Sequence, residues 1–209
     1  MLYNELVPAE EKNSRRLMVM LHGLGDSIEG YRWMPEALGL PWLNFLLVNA
    51  PDEYFGGYSW YDFVPEDLAP AAGVARSRNL IIELLDAQRA AGFATGQTTF
   101  GGFSQGCLMA VDVALRYPHR FAGVVGISGY VCQPETLVKE FSPVALQQRL
   151  LITHGTDDPV IPLERIRPQF ELLKAAGVNL DFRVFRKVHT IAGEEELRVI
   201  REFVRAGYS

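Results

Sequence analysis

The chain has 209 residues, 48% hydrophobic and 22% charged, the balance of a globular protein with an ample core rather than a disordered or fibrous one. Its net charge of −5, with no basic run, excludes the electrostatic footprint of a nucleic-acid binder and disfavours anionic lipid surfaces. No apolar run approaches the roughly 18 residues of a membrane span, so stable membrane insertion is not expected. The N-terminal "MLYNELVPAEEKNSRR" lacks an apolar core of signal-peptide length. Two cysteines, Cys107 and Cys132, are too few for a disulfide framework. These readings together predict a cytoplasmic protein with one domain over residues 1–209.

In chain order, "RLMVMLH" (16–22), "FLLVNA" (45–50), "TTFGGF" (98–103), "FAGVVGIS" (121–128), "RLLITH" (149–154) and "LDFRVF" (180–185) read as strands. The middle ones are almost continuously apolar, as strands covered on both faces must be. Helices are predicted over 31–38, 74–91, 104–117, 163–176 and 194–206. In the fourth, Pro168 should kink the helix or mark its start, and Gly177 ends it. Such alternation implies a doubly wound, mostly parallel sheet with right-handed crossovers. Between residues 50 and 73 no helix can be placed, and connections beyond about 12–15 residues are commonly functional or disordered. Tyr54, Phe55, Tyr58, Trp60, Tyr61 and Phe63 crowd this one. They either anchor it over the sheet or wall a pocket.

Ser104 stands in "GFSQG", where a predicted strand runs directly into a predicted helix. A strained turn there lifts the hydroxyl clear of the sheet, and side chains two residues to either side would strike neighbouring backbone, hence Gly102 and Gly106. A serine hydroxyl is nearly inert at neutral pH, so the reading requires a base and a group to orient it. Of the four histidines, His22 ends a strand before a glycine turn, His119 sits at a helix–strand junction and His154 ends another strand. Only His189, on the loop before the last helix, gives the chain order serine, acid, histidine that this fold uses. The acid should follow "RLLITH", where Asp157 and Asp158 compete. One oxyanion donor is expected from the N–H of Gln105, at a helix N-terminus. A second is expected from "LHGLGDS" (21–27), with the N–H of Leu24 as the candidate.

Taken together, "LHGLGDS", "SWYDF", "GGFSQGC", "ISGY", "HGTDDPVIP" and "VHTI" resemble the phospholipase/carboxylesterase family of α/β-hydrolases, which includes small bacterial carboxylesterases and acyl-protein thioesterases. The resemblance implies an α/β-hydrolase fold, with Ser104 as nucleophile, His189 as base, Asp158 rather than Asp157 as acid, and Leu24 and Gln105 as oxyanion donors. It implies that Trp60 lies near the acyl site. Two positions depart from the family pattern: Cys107 and Val188 stand where glycines are usual, and a β-branched residue before the base restricts its backbone.

The connection 129–148 is too short for a cap domain, so an acyl site that is open or covered only by the aromatic connection is expected. That favours soluble esters, thioesters or acylated protein surfaces as substrates. No metal cluster or phosphate-binding glycine loop is visible, and no cofactor is expected. A receptor using the same fold without turnover is the alternative.

Overall fold

The computed structural model describes residues 1–62 and 69–208; Phe63 lies outside them. A seven-stranded sheet runs in the order β1-β3-β2-β6-β7-β8-β9. Its members are β1 (Asn4–Val7), β2 (Arg16–Leu21), β3 (Leu43–Val48), β6 (Thr98–Phe103), β7 (Gly123–Ile127), β8 (Arg149–Gly155) and β9 (Asn179–Phe185). All pairings are parallel except β1 with β3. This is the α/β-hydrolase arrangement, a doubly wound sheet with helices on both faces.

The period-2 alternation of the strands explains the two covered faces. Leu17, Val19 and Leu21 of β2 pack with α2 (Ala71–Ala90), α3 (Gln105–Arg116) and α5 (Leu163–Ala175). The intervening Met18 and Met20 pack on the opposite side with α1 (Met34–Leu38) and α6 (Glu194–Ala206). With no solvent face to keep polar, the strands read as unbroken apolar runs.

Several boundaries differ from the sequence expectations. The edge strand β1 and the hairpin of β4 (Asp52–Tyr54) and β5 (Gly57–Ser59) were not predicted. Both are short and mixed in polarity, so neither presents a period. α4 (Pro134–Lys139) is likewise too brief to show one. Pro168 does not mark the start of α5, which begins at Leu163; it stands inside the helix, which forgoes one N–H bond there, to the Glu164 carbonyl. The connection after β7 holds only α4 and one 3-10 turn, so nothing there caps the strand ends.

Candidate active site

Parallel strands place their C-terminal ends along one edge of the sheet, where open α/β folds bind ligands. β2, β6, β8 and β9 deliver there the glycine turn, Ser104, Asp158 and His189. Ser104 occupies φ 55°, ψ −115°, a conformation that non-glycine residues rarely adopt. A Cβ on Gly102 would lie 2.2 Å from the Gly106 carbonyl oxygen, and one on Gly106 would lie 2.3 Å from that of Leu21. Glycine is therefore sterically required on both sides of the turn.

Three side chains from distant parts of the chain form one hydrogen-bonded line. His189 Nε2 lies 3.0 Å from Ser104 Oγ, and its Nδ1 lies 2.8 Å from Asp158 Oδ2. The other oxygen of Asp158 accepts from the N–H groups of Val160 and Ile161, both at 2.9 Å. Burial pushes the Asp158 carboxyl up, but those N–H donors and His189 outweigh it and hold it below the usual carboxylate range. Asp157, its neighbour, points to solvent beside Thr156 and Arg186. Phe103 packs on the His189 ring, with centroids 4.9 Å apart.

The turn after β2 is held by its histidine. The Ala50 N–H donates to His22 Nε2 at 3.0 Å, so His22 carries its proton on Nδ1 and donates to the Gly23 carbonyl at 2.7 Å. In a trans peptide the N–H points opposite the carbonyl. Engaging the Gly23 carbonyl therefore fixes the direction of the Leu24 N–H. The N–H groups of Gly25 and Asp26 are spent on the carbonyls of Tyr58 and Gly23, whereas that of Leu24 has no acceptor among the described residues. The Gln105 N–H heads α3, where no intrahelical acceptor exists. Leu24, Ser104, Gln105 and His189 all line one cavity of about 340 Å³, walled by Phe103, Tyr130, Val160 and Ile161.

Trp60 is not part of that wall. It is fully buried, and its indole N–H donates to the His22 carbonyl at 2.9 Å. The Gln105 side chain accepts from the Trp60 N–H at 3.0 Å and donates to the Tyr61 carbonyl at 3.1 Å. Trp60 and Tyr61 thus anchor the aromatic connection, and the residue that reaches the cavity is Tyr130, whose hydroxyl meets that of Tyr61 at 3.0 Å. Sequence reasoning passed over Tyr130, although "ISGY" quotes it.

The two departures from the family pattern are absorbed locally. The Cys107 side chain fills the space that side chains at Gly126 and Gly129 would need, and burial raises its thiol pKa to about 12. Val188 is exposed and lies outside the positive-φ region, so its branching strains nothing there. Among the described residues, no His, Cys, Asp and Glu side chains group to hold a metal ion, and no helix is long and apolar enough to cross a membrane.

The sequence profile of the phospholipase/carboxylesterase family matches residues 3–207. Acyl-protein thioesterase 1 of Schizosaccharomyces pombe is 33% identical over 162 residues, covering 69% of each chain. Among solved structures, esterase PE8 is 28% identical and superposes with a TM-score of 0.85 over 98% of both chains. Acyl-protein thioesterase 2 of Zea mays, 24% identical, shares the fold with a TM-score of 0.81 over 99% of both.

Proposed function

The chain belongs to the phospholipase/carboxylesterase family and hydrolyses carboxylic esters or thioesters, and we propose that it does so through an acyl-enzyme on Ser104. The observation that carries this reading is the line Ser104–His189–Asp158, with contacts of 3.0 and 2.8 Å. His189 Nε2 takes the hydroxyl proton as Ser104 Oγ bonds to the acyl carbon. The tetrahedral oxyanion is met by the N–H groups of Leu24 and Gln105. His189 returns the proton to the leaving alcohol or thiol, and Asp158 holds the ring in the productive tautomer. A water activated by the same histidine then frees the acid and Ser104.

The proton return sets the direction of the substrate. A leaving group protonated by His189 lies on the histidine side, where a second cavity of about 350 Å³ is lined by Trp33, Thr190 and Ile191. The acyl group then runs toward Tyr130 and Ile161, beyond which a third cavity of about 190 Å³ continues past Cys132 and Gln169. With no cap over the strand ends among the described residues, the site leaves room for a bulky leaving group such as a protein-borne thiol, in keeping with the thioesterase relatives. We place the protein in the cytoplasm as one domain over residues 1–209. A receptor would have no use for a hydrogen-bonded serine–histidine–aspartate line.

Stopped-flow release of nitrophenol from nitrophenyl esters tests the acyl-enzyme. A burst of about one equivalent per chain is expected where deacylation is the slower step. Across a series sharing one acyl group, kcat should become independent of the leaving group for the activated esters. A kcat that keeps rising with leaving-group activation, with neither a burst nor an acyl adduct for any ester, would contradict the reading.

A further inference from the structure

Lysine and glutamate are seldom fully buried, and a buried ion pair adds little stability because desolvation offsets the attraction. Lys187 and Glu196 are nevertheless both buried, with side chains 2% and 0% exposed, and meet at 2.6 Å. Lys187 is the last residue before the segment 188–193 that carries His189, and Glu196 is the third residue of α6, just after that segment. The glutamate divides its carboxylate between the two ends. Oε1 accepts from Lys187 Nζ, and Oε2 accepts from the Ala192 N–H at 2.5 Å. The main chain of Lys187 extends the connection, because its carbonyl accepts from the Asp157 N–H at 3.1 Å. One residue thus ties the segment of the base to that of the acid.

We propose that Lys187 and Glu196 are positioning residues whose buried ion pair sets the register of segment 188–193, keeping His189 between Ser104 and Asp158. The proposal rests on the reading of His189 as the base. A capping glutamate that reaches back to the N–H preceding the helix is common, and it accounts for the Ala192 contact alone. It requires no lysine, and the buried ammonium is what capping leaves unexplained. The ionisable groups facing Lys187 are Glu196 from α6, Asp158 from the acid segment, Cys107 from α3 and His154 from β8. Losing Lys187 leaves Glu196 buried without its counter-charge. Losing Glu196 leaves Lys187 facing only the Asp158 carboxylate among the described residues, with which it forms no ion pair, whereas removing both charges together leaves neither.

Three variants test the clamp: K187M, which keeps the length of the stem, E196Q, which keeps an acceptor for Ala192, and the double variant K187M/E196Q. Each is assayed with a soluble nitrophenyl ester at a temperature where its melting curve shows it fully folded. The expected result is a fall in kcat of about 10–100-fold for K187M with KM within about 3-fold, and partial recovery in the double variant. A kcat within 2-fold of wild type, or a loss confined to KM, would overturn the proposal. Amide exchange at Thr190 and Ala192 provides a readout that does not depend on activity. Exchange should rise at least about tenfold in K187M, and unchanged protection would overturn the clamp. Should K187M not fold, the double variant carries both readouts, and wild-type exchange and kcat in it would overturn the proposal equally. If wild-type protein proves catalytically inert at Ser104, the reading of His189 fails, while the exchange result still decides the clamp.

Discussion

Asp158 gives one carboxylate oxygen to His189, at 2.8 Å, and keeps the other for the N–H groups of Val160 and Ile161. The two N–H groups thereby orient Asp158 toward His189, and its side chain has no solvent exposure. Asp157 is one residue away and faces water. Asp158→Asn should therefore cost about 10³–10⁴-fold in kcat, and Asp157→Asn less than about 2-fold. Steady-state kinetics of the two variants checks the assignment, and comparable losses would reject it.

The backbone of Ser104 carries strain that its position demands. At φ 55°, alanine suffers as serine does, whereas glycine does not. Ser104→Gly should therefore be more stable than Ser104→Ala by about 1 kcal/mol, the reverse of the usual order. Both lack the hydroxyl bonded to His189, so that loss cancels in the comparison. Urea unfolding of the pair measures it, and an alanine variant at least as stable would show the turn to be relaxed.

Gln105 joins the serine turn to the aromatic connection. Its amide serves the Trp60 N–H and the Tyr61 carbonyl, all three groups being buried. Gln105→Ala leaves the Trp60 N–H without its partner, while the Tyr61 carbonyl keeps the Ser59 hydroxyl as donor at 2.5 Å, and should destabilise by about 1–3 kcal/mol. Its own main-chain N–H survives the change, so kcat should fall far less than in Ser104→Ala. Denaturant midpoints and kcat measured together separate the two effects.

His22 and His154 give a pH dependence whose sign can be worked out. Burial lowers the pKa of both in the folded state, the more readily because the His154 Nδ1 has no partner among the described residues. The unfolded chain binds protons at these groups near pH 6.5, and the folded chain binds them only lower. Stability is thus unaffected above that pH and falls below it, by up to about 1.4 kcal/mol per pH unit for each histidine. Unfolding free energies between pH 8 and pH 5 check this. Equal values at both ends would mean that the rings charge in place.

The strands that build the sheet core were legible because both of their faces are buried, and α6 falls at 194–206 as its periodicity predicts. Short polar elements such as β1 and β4 carry no period and were missed. The placement of Ser104 on the strand–helix turn and of His189 within reach of it could be read from the turn chemistry and the chain order. Asp157 and Asp158 could not be separated by spacing, since adjacent residues on a turn point in opposite directions and only the fold shows which faces inward. Trp60 shows the opposite failure. An aromatic near a site looks like a wall, yet its burial under His22 makes it a support, and Tyr130 forms the wall instead. Buried partners such as Lys187 and Glu196 are invisible in sequence because their contact crosses a loop.

The central claim, an activated nucleophile at Ser104, is tested most directly by intact-mass analysis after exposure to a fluorophosphonate. A single adduct is expected on wild-type protein, absent from Ser104→Ala and slowed by orders of magnitude in a His189 variant. Folded wild-type protein that gains no mass, or a Ser104→Ala variant that gains the same adduct, would contradict it.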